Sequence, residues 1–118
     1  MAKSKTPEGY TLDAILYYLQ ARHILAYRMQ VGGVAGEYNG KKRFLRYGVP
    51  GMADVLAFPK GHQHRSGEYL DIMPLWIEVK APKGVQSALQ KSFQDQVERE
   101  GHLYVLARSV DDVEAALR

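Results

Sequence analysis

The segment from 74 to 107 constrains the fold more than any other part of the chain. "PLWIEVKAPKG" (74–84) opens on a strand pattern: Leu75, Ile77, Val79 and Ala81 face one way, and Trp76, Glu78 and Lys80 the other. "GVQSALQKSFQDQVEREG" (84–101) then places Leu89, Phe93 and Val97 on one helical stripe, with Gly101 as its stop. "HLYVLA" (102–107) is again apolar and of strand length. A strand, a helix and a strand joined this closely predict a parallel pair with a right-handed crossover. Such a pair needs a sheet with helices packed on it.

The remaining segments add to that unit. Leu12, Ile15, Leu16 and Leu19 predict a helix from about residue 9 to 22, capped by Thr11 or Thr6. Residues 23–31 read as extended, and the glycine-rich 32–42 as a turn or flexible loop. A Pro-Gly turn at 50–51 leads into the apolar strand "DVLAF", and 59–71 reads as a polar loop or hairpin tip. Ser109, Asp111 and Asp112 favour the start of a short last helix at 109–117. The expected order is α-β-β-β-α-β-α, a small mixed β-sheet flanked by helices in one domain over 1–118, with 1–8 flexible. At 118 residues and 46% hydrophobic, the chain has enough apolar matter for one core. It has no cysteine, which excludes disulfides and thiolate zinc sites and is compatible with a cytoplasmic location. No apolar run reaches membrane-spanning length, and no signal peptide is expected.

Glu78 and Lys80 are the anomaly, a carboxylate and an ammonium side by side on an otherwise apolar strand. Alone they describe a surface ion pair, which contributes little. Asp54, after "GVPGMA", alone describes a turn residue. Together, two carboxylates on adjacent strands offer hard oxygen ligands to a divalent cation, with positions left for water and phosphate. A lysine two residues on can orient the attacking water or stabilise charge on a phosphate under attack. That set of groups suits phosphodiester hydrolysis. Charge distribution is in keeping: residues 1–51 hold eight Lys/Arg against three Asp/Glu, and residues 52–118 hold eight against ten. Lys41, Lys42, Arg43 and Arg46 cluster without an acidic neighbour, either as a solvated loop or as a surface tracking phosphates. Lys83 admits the same two readings. Ser87 reads as a helix cap or a phosphate contact. Gln86, Gln90 and Gln94 share one helix face. His62 and His64 lack a third metal ligand nearby and read as exposed loop histidines.

"GVPGMAD", the apolar strand after it, "WIEVKAPKG", "SALQKSF" and "GHLYVLARS" resemble the VRR-NUC domain. This is a branch of the PD-(D/E)XK, or restriction-endonuclease-like, nuclease superfamily. The likeness runs from about residue 8 to 110. It implies that Asp54 and Glu78 are metal ligands, with the Val79 carbonyl as a third, and that Lys80 is the catalytic lysine. It places Gln90 beside the metal site. A first-helix glutamate of the family matches Glu8, with Asp13 as competitor. The resemblance implies a Mg²⁺- or Mn²⁺-dependent, structure-selective DNA endonuclease. The minimal members it resembles, from phages and bacteria, imply a homodimer resolving branched DNA such as Holliday junctions in DNA repair. The alternatives are a flap or nicking nuclease, and a non-catalytic nucleic-acid-binding module of a replication or repair complex.

Overall fold

A computed structural model of the chain describes residues 6–30, 32–60, 62–63, 69–70 and 73–117. Its elements run α1 (Pro7–Ala21), β1 (Leu25–Arg28), β2 (Gly32–Tyr38), β3 (Lys41–Tyr47), β4 (Val55–Phe58), β5 (His62–Gln63), β6 (Tyr69–Leu70), β7 (Leu75–Val79), α2 (Ala88–Arg99), β8 (Leu103–Ala107) and α3 (Val110–Ala116). The fold is mixed α/β. Four strands form the main sheet in the order β1-β4-β7-β8. β4 is antiparallel to both β1 and β7, and β7 is parallel to β8 as the α2 crossover requires.

Period-two patterning decides what each sheet face carries. Leu75, Ile77 and Val79 join Val55, Ala57 and Ala107 in a buried core with Leu12, Ile15 and Leu19 of α1 and Val113 of α3. A second, smaller cluster gathers Ala53, Phe93 and Val97 of α2 with Trp76 and Tyr104. Helices therefore pack against both faces of the sheet, with α2 opposite α1 and α3. Trp76 anchors the α2 side: it meets Phe93 edge-on at 5.0 Å between centroids, and its Nε1–H donates to His102 Nδ1 at 3.0 Å. Among the described residues no helix is long and apolar enough to cross a membrane.

Three expectations need correction. α1 begins at Pro7, so Glu8 belongs to the helix rather than to a flexible lead-in. Thr6 is its cap, accepting from Gly9 N at 3.1 Å, with Pro7 supplying a preset φ at the first helical position. Leu89 lies outside the buried stripe and is 60% exposed, whereas Phe93 and Val97 are buried. Residues 32–42 are neither a flexible loop nor only a turn. β2 and β3 form a two-stranded antiparallel ribbon closed by Asn39 (φ 50°) and Gly40 (φ 74°). Positive φ at both central positions is what a tight hairpin turn with right-handed strand twist demands. The described parts of 59–71 form the short β5–β6 hairpin.

Candidate active site

The sheet brings Arg28, Asp54 and the segment Glu78–Lys80, far apart in sequence, to one end. Arg28 ends β1 and pairs with Val55, the first residue of β4; Asp54 immediately precedes it. Val55 in turn pairs with Ile77, so Glu78, Val79 and Lys80 emerge at the same end from β7. The Met29 N–H donates to the Asp54 carbonyl at 2.7 Å, fixing that approach. The Asp54 carboxylate accepts from Val79 N at 2.8 Å, which ties the side chain to the neighbouring strand's backbone. Glu8 closes the arrangement from α1: its carboxylate accepts from Ala81 N at 3.2 Å. Thr6, Glu8, Gly9, Leu12, Arg28, Asp54 and Val79 line a cleft of about 200 Å³.

Glu78 is the unusual group. It is 2% exposed, on a strand face otherwise occupied by Trp76. Its Oε1 accepts from Gln90 Nε2 at 2.9 Å and lies 3.8 Å from Lys80 Nζ. Among the described residues no donor reaches its buried Oε2, and the Asp54 carboxylate lies close enough to act on the same carboxyl. Burial pushes the carboxyl up to about 8, the Asp54 charge pushes the same way, and Lys80 opposes them. A buried carboxyl oxygen without a partner is costly, and acids perturbed by burial and a neighbouring charge concentrate at functional sites.

Gln90 is placed by local sequence. Ser87 caps α2, its hydroxyl accepting from Gln90 N at 3.2 Å, while Gln90 Oε1 accepts from Ser87 N at 2.8 Å. This reciprocal box fixes the amide so that its NH₂ points at Glu78. The approach of α2 depends on the turn Val49–Met52, where Met52 N donates to Val49 O at 2.9 Å and Gly51 has φ +83°. Pro50 and Gly51 occupy the positions that a type II turn favours. A Cβ on Gly51 would lie 2.4 Å from the Leu89 carbonyl group and 2.8 Å from Gln90 N. Only glycine permits this contact, which sets the start of α2 against the turn leading to Asp54.

Asp54, Glu78, Val79, Lys80, Gln90 and Glu8 are thus brought together. Ser87 acts as the cap. Lys83 is exposed in the turn after β7. Gln86 is engaged by other side chains, its Nε2 donating to Gln94 Oε1 and Tyr104 Oη. Lys41, Lys42 and Arg43 are exposed on β3. Arg46 lies in the same strand, and its side chain is outside the described residues, as is His64. Arg28 was missed by sequence reasoning. Its signal was available only as a basic residue ending a strand that pairs beside Asp54, and that pairing is not written locally.

Among the described residues no three His, Cys, Asp or Glu side chains form a ready-made metal cage. Asp54 and Glu78, close enough for the charge of one to act on the other, are a smaller all-oxygen pair, to which the Val79 carbonyl would add the third ligand that the family resemblance implies. It suits Mg²⁺ or Mn²⁺, which bind through one or two carboxylates and keep water and phosphate ligands. The partnerless Glu78 oxygen fits this: a cation would offset the cost of its burial. No family model matches the chain, and no curated protein or solved structure does.

Proposed function

We propose that this chain is a divalent-cation-dependent, structure-selective DNA endonuclease with a restriction-endonuclease-like fold of the VRR-NUC type, acting as a homodimer on branched DNA such as four-way junctions. The observation that carries the reading is Glu78: a buried carboxyl with one oxygen unpartnered, ringed by Asp54, Lys80 and Gln90.

When bound, a divalent cation would supply Lewis-acid stabilisation of phosphate charge and lower the pKa of water. Asp54 and Glu78 would hold it. Asp54 is oriented for this by Val79 N, and Glu78 by the Gln90 amide. Lys80, held beside Glu78 and partly exposed, is placed to orient the attacking water and to neutralise charge on the phosphate. Glu8 fixes the strand end through Ala81 N. Arg28, on the far side of the cleft from β7, is placed to hold a phosphate oxygen.

The test is cleavage of labelled four-way junctions, flaps and linear duplexes with Mg²⁺, Mn²⁺ or EDTA. The expected result is junction cleavage that requires the cation and disappears in Lys80→Ala, with DNA binding retained. Absence of cation-dependent cleavage on every substrate would refute the nuclease reading. Equal cleavage of linear duplex and junction would refute the structural selectivity.

A further inference from the structure

Among the described residues, none of the β2–β3 ribbon belongs to either core cluster, and its strands pair with each other and with no other strand. It is rooted at the candidate site: the chain leaves the sheet after Arg28 and returns through the Val49–Met52 turn to Asp54. Register fixes its faces. Tyr38 lies opposite Lys41, and Gly36 opposite Arg43, so Tyr38, Lys41, Arg43 and Leu45 share one face; Lys42 and Phe44 lie on the other. Tyr38 and Leu45 are 68% and 66% exposed. With Gly36, Glu37 and Arg43 they line a shallow groove of about 520 Å³. A Cβ on Gly36 would meet no atom within 4 Å, so the middle of that face is open.

We infer that this ribbon is an arm that lies along a groove of the duplex flanking the cleaved phosphate and sets the length of duplex the enzyme needs. The inference rests on the nuclease reading for the identity of the polyanion and extends it to the arm. A two-stranded ribbon fits the DNA major groove, about 12 Å wide. Lys41, Lys42 and Arg43 provide the charge complement at the tip end, with Glu37 the one acid on the ribbon. That excess of cations disfavours a second copy of the same ribbon as occupant. Each strand has seven residues, which at about 3.4 Å per residue spans roughly 24 Å. This corresponds to about seven base pairs at 3.4 Å each.

The experiment measures binding by fluorescence anisotropy at several salt concentrations, with Ca²⁺, on junctions whose arms are shortened pairwise from about 16 to 4 base pairs. Wild-type affinity is expected to hold until the arms fall below about seven base pairs and then to drop. The K41S/K42S/R43S variant is expected to keep its melting temperature. It should lose affinity roughly tenfold or more at 0.1 M salt, flatten the salt dependence by nearly one unit of log–log slope per cation, and bind without the length step. An unchanged salt slope and length step in the variant would overturn the inference. So would a loss of dimer by sedimentation with DNA affinity unchanged, since the ribbon would then contact a second copy. A length step in a protein that cleaves nothing would keep the arm and remove the nuclease; cleavage with no step would do the reverse.

Discussion

Replacing Glu78 with glutamine isolates the energetic cost of the buried carboxyl. In the folded, cation-free protein this carboxyl is raised from 4.5 to about 8. The folded state therefore holds the proton more tightly than the unfolded chain does. Its contribution to stability is complete below pH 4.5 and is lost progressively as pH rises through 8. At 1.36 kcal/mol per unit the ceiling is about 5 kcal/mol. Structural relaxation around the charged form brings that down to roughly 2–3 kcal/mol. At roughly 3–5 °C per kcal/mol for a chain of this length, the melting temperature should fall by about 10 °C. Glu78→Gln keeps the shape and the acceptor for Gln90 Nε2, and it removes the titration. Thermal melts of both proteins in EDTA, from pH 4.5 to 9, are the assay. The variant should match wild type near pH 5 and exceed it increasingly toward pH 8 and above. Saturating Mg²⁺ at pH 8 should recover most of the wild-type loss, because cation binding displaces the proton, and should leave the variant nearly unmoved. Parallel pH profiles for the two proteins would refute the reasoning, because histidine and surface-acid titrations cancel in the difference.

Gln90→Glu retains an acceptor for Ser87 N and removes the donor to Glu78. It should leave α2 capped, shift the wild-type pH profile further upward, and cost about 1–3 kcal/mol above pH 7 in urea denaturation. Gly51→Ala must fit a side chain at positive φ against the Leu89 backbone. A loss of about 2–5 kcal/mol is expected in the urea midpoint, with cleavage lost as α2 shifts. Arg28→Ala should change stability by less than about 0.5 kcal/mol, because the residue is exposed. It should slow cleavage roughly 10- to 100-fold, with Arg28→Lys recovering part of the loss.

The β7-α2-β8 unit was legible because each element carries its period openly: Leu75, Ile77 and Val79 at two, Phe93 and Val97 at four. Asp54, Glu78 and Lys80 were legible as a set from strand order, whereas Gln90 joined them only through the family resemblance, because its helix face read alone describes a solvated polar face. Leu89 misled because it continues the apolar stripe into the first turn of α2, where the helix edge meets solvent. The β2–β3 ribbon was lost among glycines. "YNG" was the available signal, for Asn39-Gly40 is a strong two-residue hairpin turn, but the strands beside it alternate poorly, and residues 35–45 are exposed on both faces. Arg28 was invisible for another reason: its nearness to Asp54 comes from pairing across 26 residues, which no local pattern records.

The hydrogen bond from Met29 N to the Asp54 carbonyl closes the chain between them into a loop. The ribbon beyond that closure can change length without disturbing the register of β1 on β4, provided the Val49–Met52 turn and Ala53 keep their places. Closure entropy grows only slowly with loop size, about 0.6 kcal/mol per doubling. Inserting residues in pairs at Asn39-Gly40 would lengthen the ribbon while keeping each side chain on its face, whereas a single residue inserted within one strand would invert part of it. The ribbon is therefore an exchangeable module on a fixed base. Its length or sequence could be changed without rebuilding the carboxylates beneath.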